Sequence, residues 1–325
     1  MERGQAVRWG ILGTANIARS SFLPGLRWAK GVPYAVAGRD LTRTQQFAAR
    51  NGIERAMEGY ETLIADDEVE AVYIPLPNSL HAEWIVKALE AGKAVLCEKP
   101  LCLNVEQTEM VLEAARRSPK PLWEAFVFPW RRQTHRVLEI IRSGAVGEIT
   151  EIHSTFHFKL GSRANIRLDP ALGGGATYDV GCYPTSYANM LFDGDPQNAV
   201  AMARWAPEGV DTALQGVLNF GGERRLLLSC AIDSPQDTFT RLLGTEGEIR
   251  LSHPWHPTAS DTLQILDGGE MKTEHPNGDE PSFGPALAHI GAVLRGEAEP
   301  EHLAIDLSLP NAKAIDLLLE SAHRS

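Results

Sequence analysis

The chain has few cysteines, no long apolar run and no excess of basic charge, and each shortage narrows the reading. Four cysteines occur in 325 residues, Cys97, Cys102, Cys182 and Cys230. No pair has CxxC spacing and no Cys/His cluster fits a zinc pattern, so neither a disulfide framework nor a metal site is expected. The thiols are read as reduced and mostly buried, as in a cytoplasmic protein. No apolar stretch approaches the ~20 residues of a membrane helix. Residues 1–8 are polar and charged and are read as no signal peptide. Thirty-one Lys and Arg stand against 42 Asp and Glu, a formal net charge of −11. That balance argues against nucleic acid and anionic membrane as partners, though a local basic patch can still hold one phosphorylated small molecule. There is no internal repeat and no low-complexity tract.

What remains is an ordinary globular balance, 43% hydrophobic and 22% charged, in a chain long enough for two domains. The stretch from Ala94 to Pro100 organises the reading. Val95 to Cys97 is a short apolar strand that ends in Glu98-Lys99-Pro100. Proline lacks an N–H and favours an extended residue before it, which fixes Lys99 at the carboxyl end of the strand. Open α/β sheets bind ligands at that edge. Taken alone, Lys99 reads first as a surface lysine capping a strand, and it is the context on both sides that favours a ligand site.

Upstream, residues 7–13 form a strand running into Gly13, followed by Thr14, Ala15, Asn16, Ile17 and Ala18 at the start of a helical run. The pattern Gly13-x-Ala15-x-x-Ala18 is a GxGxxG fingerprint with two alanines. It needs a tight turn, close backbone approach to a pyrophosphate and a helix N-terminus. A second strand at 34–37 leads to Gly38-Arg39-Asp40. Where an acid would hold a ribose 2′-hydroxyl, Gly38 leaves room and Arg39 can pair with a 2′-phosphate. NADP is therefore expected over NAD, with NAD possible. The competing reading has Arg39 on the solvent side of a helix over 42–51, and a register shift would bring Asp40 into play.

A strand at 71–74 ends in Pro75-Leu76-Pro77-Asn78, followed by His81 and a helix with Trp84, Ile85, Ala88 and Leu89 at helical spacing, closed by Gly92. Asn78 and His81 lie where the nicotinamide half of a cofactor would pass; His81 reads equally as a helix-start residue without a ligand. A helix over 105–117, a strand at 122–126 and a helix over 135–143 follow.

From Glu148 the period changes to two. Ile152, Phe156 and Phe158 alternate with Glu151, His153, Thr155, His157 and Lys159. His153 and His157 share the polar face, where a plain sheet surface is favoured over a metal pair. Strands at 213–220, 225–232, 240–243 and 248–251, with glycine turns between them, predict a largely antiparallel sheet. Helices over 286–295 and 309–323 close the chain. A one-layer sheet with an exposed face suits a subunit interface, so a homodimer or homotetramer through it is expected.

Between those strands lies Gly173-Gly174-Gly175-Ala176-Thr177-Tyr178-Asp179-Val180-Gly181-Cys182-Tyr183. Three glycines permit a turn passing close to a ligand. Asp179 and Tyr183 share a face once the chain is helical. The bland reading is a loop into an ordinary helix with Tyr183 in the core.

Gly10-Ile11-Leu12-Gly13-Thr14-Ala15, Glu98-Lys99-Pro100, Glu124-Ala125-Phe126 and the glycine run through Asp179 to Tyr183 occur in an order that resembles the glucose-fructose oxidoreductase / inositol dehydrogenase (Gfo/Idh/MocA) family. Tyrosine at 183 looks like the branch of NADP-dependent xylose dehydrogenase and dihydrodiol dehydrogenase. The resemblance implies an N-terminal Rossmann domain (α/β, a doubly wound parallel sheet, residues 1–124). A substrate and oligomerisation domain (α+β, a large mostly antiparallel open sheet, residues 125–325) would follow. It also implies hydride transfer at a hydroxyl or carbonyl carbon of a sugar, polyol or dihydrodiol. Gly13, Thr14, Ala15, Asn16, Ile17, Gly38, Arg39, Pro75, Asn78, His81, Glu98 and Lys99 are then the cofactor-binding set.

A phenol of pKa about 10 is a poor base at neutral pH, and a nearby ammonium favours its phenolate. Tyr183 is accordingly read as acid/base, Lys99 as its electrostatic partner and donor to the substrate oxygen, and Asp179 as acceptor for a substrate hydroxyl. After Phe126 the run Val127-Phe128-Pro129-Trp130-Arg131-Arg132 departs from the family pattern, and Arg131 or Arg132 reads as either a ligand contact or a solvent-facing residue. Two other readings stay open, a non-catalytic NADP or sugar sensor and a sugar–sugar oxidoreductase with a tightly held cofactor.

Overall fold

A computed structural model describes residues 6–162 and 164–325. The chain divides into two compact units. Met1–Leu101, Glu106–Val127 and Glu280–Asp306 form the first; Cys102–Val105, Phe128–Asp279 and Leu307–Ser325 form the second.

The first unit is built on a six-stranded sheet of β1 (Arg8–Leu12), β2 (Val32–Gly38), β3 (Arg55–Glu58), β4 (Ala71–Ile74), β5 (Ala94–Cys97) and β6 (Leu122–Glu124). Its order is β3-β2-β1-β4-β5-β6, and every pairing is parallel. The order reverses between β1 and β4, and such a switch point is where doubly wound sheets bind ligands. β4 and β5 are buried along their whole length, as strands covered on both faces must be. The connecting helices are α1 (Leu23–Trp28), α2 (Leu41–Asn51), α3 (Tyr60–Ile64), α4 (His81–Glu90) and α5 (Val105–Arg117). Ahead of α1 the helix widens into a π stretch, Ala18–Phe22.

The second unit is built on an eight-stranded sheet. Its strands are β7 (Ile149–Lys159), β8 (Asn198–Trp205), β9 (Asp211–Asn219), β10 (Arg225–Ala231), β11 (Asp233–Gly244), β12 (Gly247–Leu251), β13 (Leu263–Asp267) and β14 (Glu270–Glu274). The order is β14-β13-β12-β11-β7-β10-β9-β8, antiparallel except where β10 runs parallel to β7. Helices α6 (Arg132–Arg142) and α7 (Cys182–Phe192) belong to this unit, and α8 (Gly284–Leu294) and α9 (Ala304–Arg324) close the chain. One face of the sheet carries Ile152, Leu214, Leu218, Leu226, Leu228, Cys230 and Leu242, all buried. The register puts His153, Val200, Val217, Leu227 and Arg241 in one row on the other face, and Thr155, Met202, Gln215, Ser229 and Phe239 in the next.

A division at residues 124 and 125 is not where the compact units part. Ala125 to Val127 and the late segment 280–306, which holds α8, lie with the first unit. The reason is packing. A Cβ on Gly25 would stand 2.7 Å from Phe283 and 2.9 Å from the Gly284 nitrogen, so α1 and α8 meet where no side chain fits. Phe283 closes an aromatic cluster with Phe22 and Tyr73, whose rings stack at 3.9 Å, and Trp123 Nε1 donates to the Glu301 carbonyl at 3.0 Å. β3, β8, β13 and β14 were not anticipated: β3 and β14 are short and polar, and β8 exposes alternate residues at a sheet edge. Phe156 and Phe158 are half-buried rather than buried, while Thr155 on the opposite face is buried by the strands on either side. No helix among the described residues is long and apolar enough to cross a membrane.

Candidate functional site

In the first unit the expected cofactor residues gather where the strands end. Gly13 follows β1 with φ +92°, a backbone conformation that favours glycine, and its N–H donates to Ala37 O at 2.7 Å. Thr14, Ala15 and Ile17 are half-buried and Asn16 is exposed, at the start of the first helical stretch. A Cβ at Gly13 would stand 3.1 Å from Leu76 and 3.8 Å from the Tyr60 hydroxyl. Burial pushes the Tyr60 phenol up and the Arg39 guanidinium draws it back, which places Arg39 in the same corner. A glycine turn at the switch point, a helix start and an exposed arginine after β2 form a donor set suited to a pyrophosphate and a 2′-phosphate.

Two details change the reading of β2's end. Asp40 is the N-cap of α2, its carboxylate accepting from Arg43 N at 3.0 Å. Capping of this kind is worth about 1 kcal/mol. Gly38 does not simply leave space: a Cβ there would lie 2.3 Å from Thr44 Oγ1, so glycine is demanded by the packing of α2.

Glu98, Lys99 and Pro100 follow β5, with the Lys99–Pro100 peptide cis. Glu98 accepts a hydrogen bond from the Tyr73 hydroxyl, so its carboxylate is turned into the unit's own interior. Pro75 is buried at the end of β4, and Asn78 opens a short 3₁₀ turn, Asn78–Leu80, before α4. His81 is fully buried, with Nδ1 2.9 Å from Pro100 O and Nε2 2.9 Å from Leu76 O. Its ring ties the loop after β4 to the loop after β5. Burial, the largest effect, pushes its pKa down; the carbonyl contacts oppose this, and Lys99 lowers it further.

In the second unit the glycine run serves close packing. Gly173 and Gly175 have φ of +75° and +129°. A Cβ on Gly174 would meet Arg167 O at 2.6 Å and Asp169 O at 2.9 Å, while Gly174 N and Gly175 N each donate back to that loop, at 2.9 Å. A Cβ on Gly175 would lie 2.3 Å from Asp211 Oδ1. The glycines therefore bring backbone against backbone and against one buried carboxylate. Asp211 Oδ2 accepts from both Thr177 N and Thr177 Oγ1 at 2.7 Å. Burial pushes its carboxyl pKa up and the two Thr177 donors hold it back. The helix begins here as a π stretch, Thr177–Gly181, and runs into α7, where Pro184 is accommodated in the first turn.

Asp179 and Tyr183 come from this stretch. Arg167 Nε donates to Asp179 Oδ2 at 2.5 Å, with its guanidinium over the Phe158 ring. The carboxylate expected to receive a substrate hydroxyl thus already holds a cation. Tyr183 is 6% exposed among aromatic rings, with Phe156 edge-on at 5.3 Å and Trp255 tilted at 5.6 Å. Its hydroxyl stands 3.4 Å from His256 Nε2. Arg131 is buried and donates through Nη2 to Pro257 O at 3.0 Å, so it supports a loop, whereas Arg132 is exposed at the start of α6. His153 lies against Glu151 and His157 against Ser229, both at 2.8 Å. No group of three or more potential metal ligands occurs among the described residues.

Arg167, Asp211 and His256 were not singled out beforehand. Only the last carried a local signal, two prolines bracketing an aromatic pair in His253-Pro254-Trp255-His256-Pro257.

Comparison with known proteins adds an independent line. Residues 7–126 match the oxidoreductase family with an NAD-binding Rossmann fold, and residues 134–250 match the GFO/IDH/MocA C-terminal domain. A D-xylose 1-dehydrogenase (NADP(+)) of Haloferax volcanii is 35% identical over 97% of this chain and 97% of its own. A trans-1,2-dihydrobenzene-1,2-diol dehydrogenase of Xenopus laevis is 31% identical over 85% of this chain and 83% of its own. The crystal structure of a 3-ketoreductase from Actinomadura kijaniata, in complex with NADP and TDP-benzene, matches with a TM-score of 0.88 at 29% identity over 98% of both chains.

The buried ring of His81 yields a pH test. With its folded pKa depressed, the unfolded chain takes up the proton first, so its contribution is present above about pH 6.5 and is lost as pH falls through the folded pKa. His81→Gln is expected to be less stable than wild type by about 1–3 kcal/mol at pH 7.5. Urea denaturation should show that gap narrowing at pH 5.5. A gap that widens would mean the ring is held as imidazolium between its two carbonyls.

Proposed function

Because the chain belongs to the Gfo/Idh/MocA family of oxidoreductases, we propose that it exchanges hydride between NADP and a CH–OH carbon of a sugar, polyol or dihydrodiol. It is an NAD(P)-dependent oxidoreductase; the substrate class is the proposal. Support for that class comes above all from likeness along nearly the whole chain to an NADP-linked xylose dehydrogenase. Bound NADP supplies the hydride acceptor or donor, and the protein must orient the reactants and move one proton.

The backbone from Gly13 to Ile17 is assigned to the pyrophosphate and Arg39 to the 2′-phosphate, with Gly38 opening the turn before it. Pro75 and Asn78 bound the nicotinamide side, and His81 and Glu98 support the loops that carry them. Tyr183 is assigned as acid/base: its phenol sits in apolar walls, where an electrostatic partner has most effect. Lys99 is the assigned partner, favouring the phenolate. Asp179, steadied by Arg167, orients a substrate hydroxyl.

The outer face of the second unit's sheet exposes Val200 (71%), Met202 (68%), Phe239 (39%) and Val217 (38%). These lie in two adjacent rows with His153, Thr155, Gln215, Leu227, Ser229 and Arg241, a mixed face of apolar and polar side chains. A second copy of the chain offers the same arrangement, and the face is assigned to a homodimer contact. Four buried free thiols suit a reducing, cytoplasmic location.

An NADP(H)-linked screen over aldoses, ketoses, inositols, deoxy sugars and trans-dihydrodiols should find turnover. Lys99→Ala and Tyr183→Phe should then lower kcat by ~10²-fold or more, the lower bound for acid–base groups. Arg39→Ala should lower kcat/KM for NADP by about tenfold or more with little change for NAD, given the charge-assisted bonds it would lose. No turnover across the panel, or variants within about tenfold of wild type, would overturn the roles. An unchanged NADP/NAD ratio would remove Arg39 from the cofactor site.

Light scattering should give an even-numbered oligomer for wild type and a smaller species for Val200→Glu/Met202→Glu. A monomeric wild type, or an unchanged mass in the variant, rules out this face.

A further inference from the structure

We propose that His256 carries protons between the Tyr183 hydroxyl and solvent. The inference rests on the reading of Tyr183 as the acid/base group. A phenol that is 6% exposed needs a route to water to reset between turnovers. Its Oη stands 3.4 Å from His256 Nε2, and His256 is itself exposed, so the imidazole reaches from the phenol to solvent. The two rings meet edge to face, 5.7 Å between centroids at 72°, while Phe156 and Trp255 flank the phenol with carbon. A separation of 3.4 Å is long for an O–H···N bond, but catalytic hydrogen bonds are commonly long without substrate and tighten with it.

The loop around His256 is fixed at both ends. Asp261 Oδ1 lies 2.7 Å from His253 Nδ1 and accepts from Ser252 Oγ at 3.2 Å. Asp261 Oδ2 accepts from Thr258 N at 2.7 Å and Thr258 Oγ1 at 2.8 Å. Arg131, from the start of α6, holds the Pro257 carbonyl, and Trp255 is 1% exposed beneath. The backbone on both sides of His256 is held, and the imidazole stands beside the Tyr183 hydroxyl. Among the described contacts, the loop is held by the Asp261 carboxylate, which faces His253, and by the Arg131 guanidinium.

The proton balance is simple. In the oxidative direction the substrate O–H bond breaks and its proton forms Oη–H on the Tyr183 phenolate, as the carbon gives up hydride to oxidised NADP and C–O becomes C=O. The Oη–H bond then breaks as Nε2–H forms, giving an imidazolium. The Nδ1 proton passes to water, and exchange of the exposed ring with solvent moves the remaining proton from Nε2 to Nδ1, so that Nε2 can accept again. Reduction runs the same path in reverse. Histidine is the side chain that changes charge between pH 5 and 8, which suits transfer in both directions.

The test compares wild type, His256→Phe, His256→Asn and Tyr183→Phe as full-length protein. Substrate is the most active compound of the NADP-linked panel, and buffer is low or supplemented with imidazole. Both His256 variants should lose roughly tenfold in kcat at low buffer with KM little changed, less than the ~10²–10⁴-fold of a direct acid–base group, and added imidazole should restore most of it. Tyr183→Phe should not be rescued. Without turnover, the ¹⁵N resonances of His256 should titrate differently in wild type and Tyr183→Phe with NADPH bound. Wild-type kcat in both His256 variants at low buffer, or a loss that imidazole does not restore in either, overturns the relay. If Tyr183→Phe is severely impaired in that same experiment, the acid/base reading stands without it. If Tyr183→Phe keeps wild-type kcat, that reading fails and the relay fails with it.

Discussion

The second unit depends on a place where side chains cannot exist. At Gly174 the chain presses on the carbonyls of Arg167 and Asp169, and at Gly175 on the carboxylate of Asp211. Asp211 is almost fully buried and its donors come from Thr177, the first residue of the helical stretch that bears Asp179 and Tyr183. Removing the carboxylate would leave a buried N–H without its acceptor, a cost of about 1–3 kcal/mol. A side chain at 174 would force two backbone segments apart, a graver change than the ~1–3 kcal/mol of ordinary overpacking. Together these contacts set where the helix starts, and so which way Tyr183 faces. The chemistry assigned to one phenol thus begins with three glycines and an aspartate that need touch no ligand.

The first unit solves the same problem differently. Its functional candidates sit on loops after parallel strands, and such loops must be tied down. His81 ties two of them through their carbonyls, Asp40 is committed to capping α2, and Glu98 to Tyr73. At the carboxyl ends of the strands stand the Gly13 turn, a helix start and the exposed Arg39. His81, Asp40 and Glu98 each hold neighbouring chain in place through these bonds.

Much of this was legible beforehand. Short apolar strands alternating with amphipathic helices gave the parallel sheet, since 3.6-residue and two-residue periods differ plainly. The change to alternation after Glu148 marked the second sheet, and its inner and outer faces follow from Ile152 and His153 pointing opposite ways. Lys99, Asp179 and Tyr183 stand out in the sequence because their local runs are unusual. The partners that fix the last two do not: Arg167 and Asp211 are single polar residues 12 and 32 positions from Asp179, and pairings at such separations leave no local periodicity. β3 and β14 escaped because hydrogen bonding to a neighbour, not apolar content, makes them strands. The late segment at 280–306 joined the first unit through backbone contact at Gly25, which no composition shift announces.

Lys99 and Tyr183 are proposed to act as one acid–base device, the ammonium serving to make the phenol reactive. Groups that act as a unit lose activity non-additively when removed together. The direct measurement is kcat for Lys99→Met, Tyr183→Phe and the double variant in the same NADP-linked assay. The account predicts that the double variant is no worse than about the poorer single variant. If the two losses simply multiply, the residues work independently and the device does not exist.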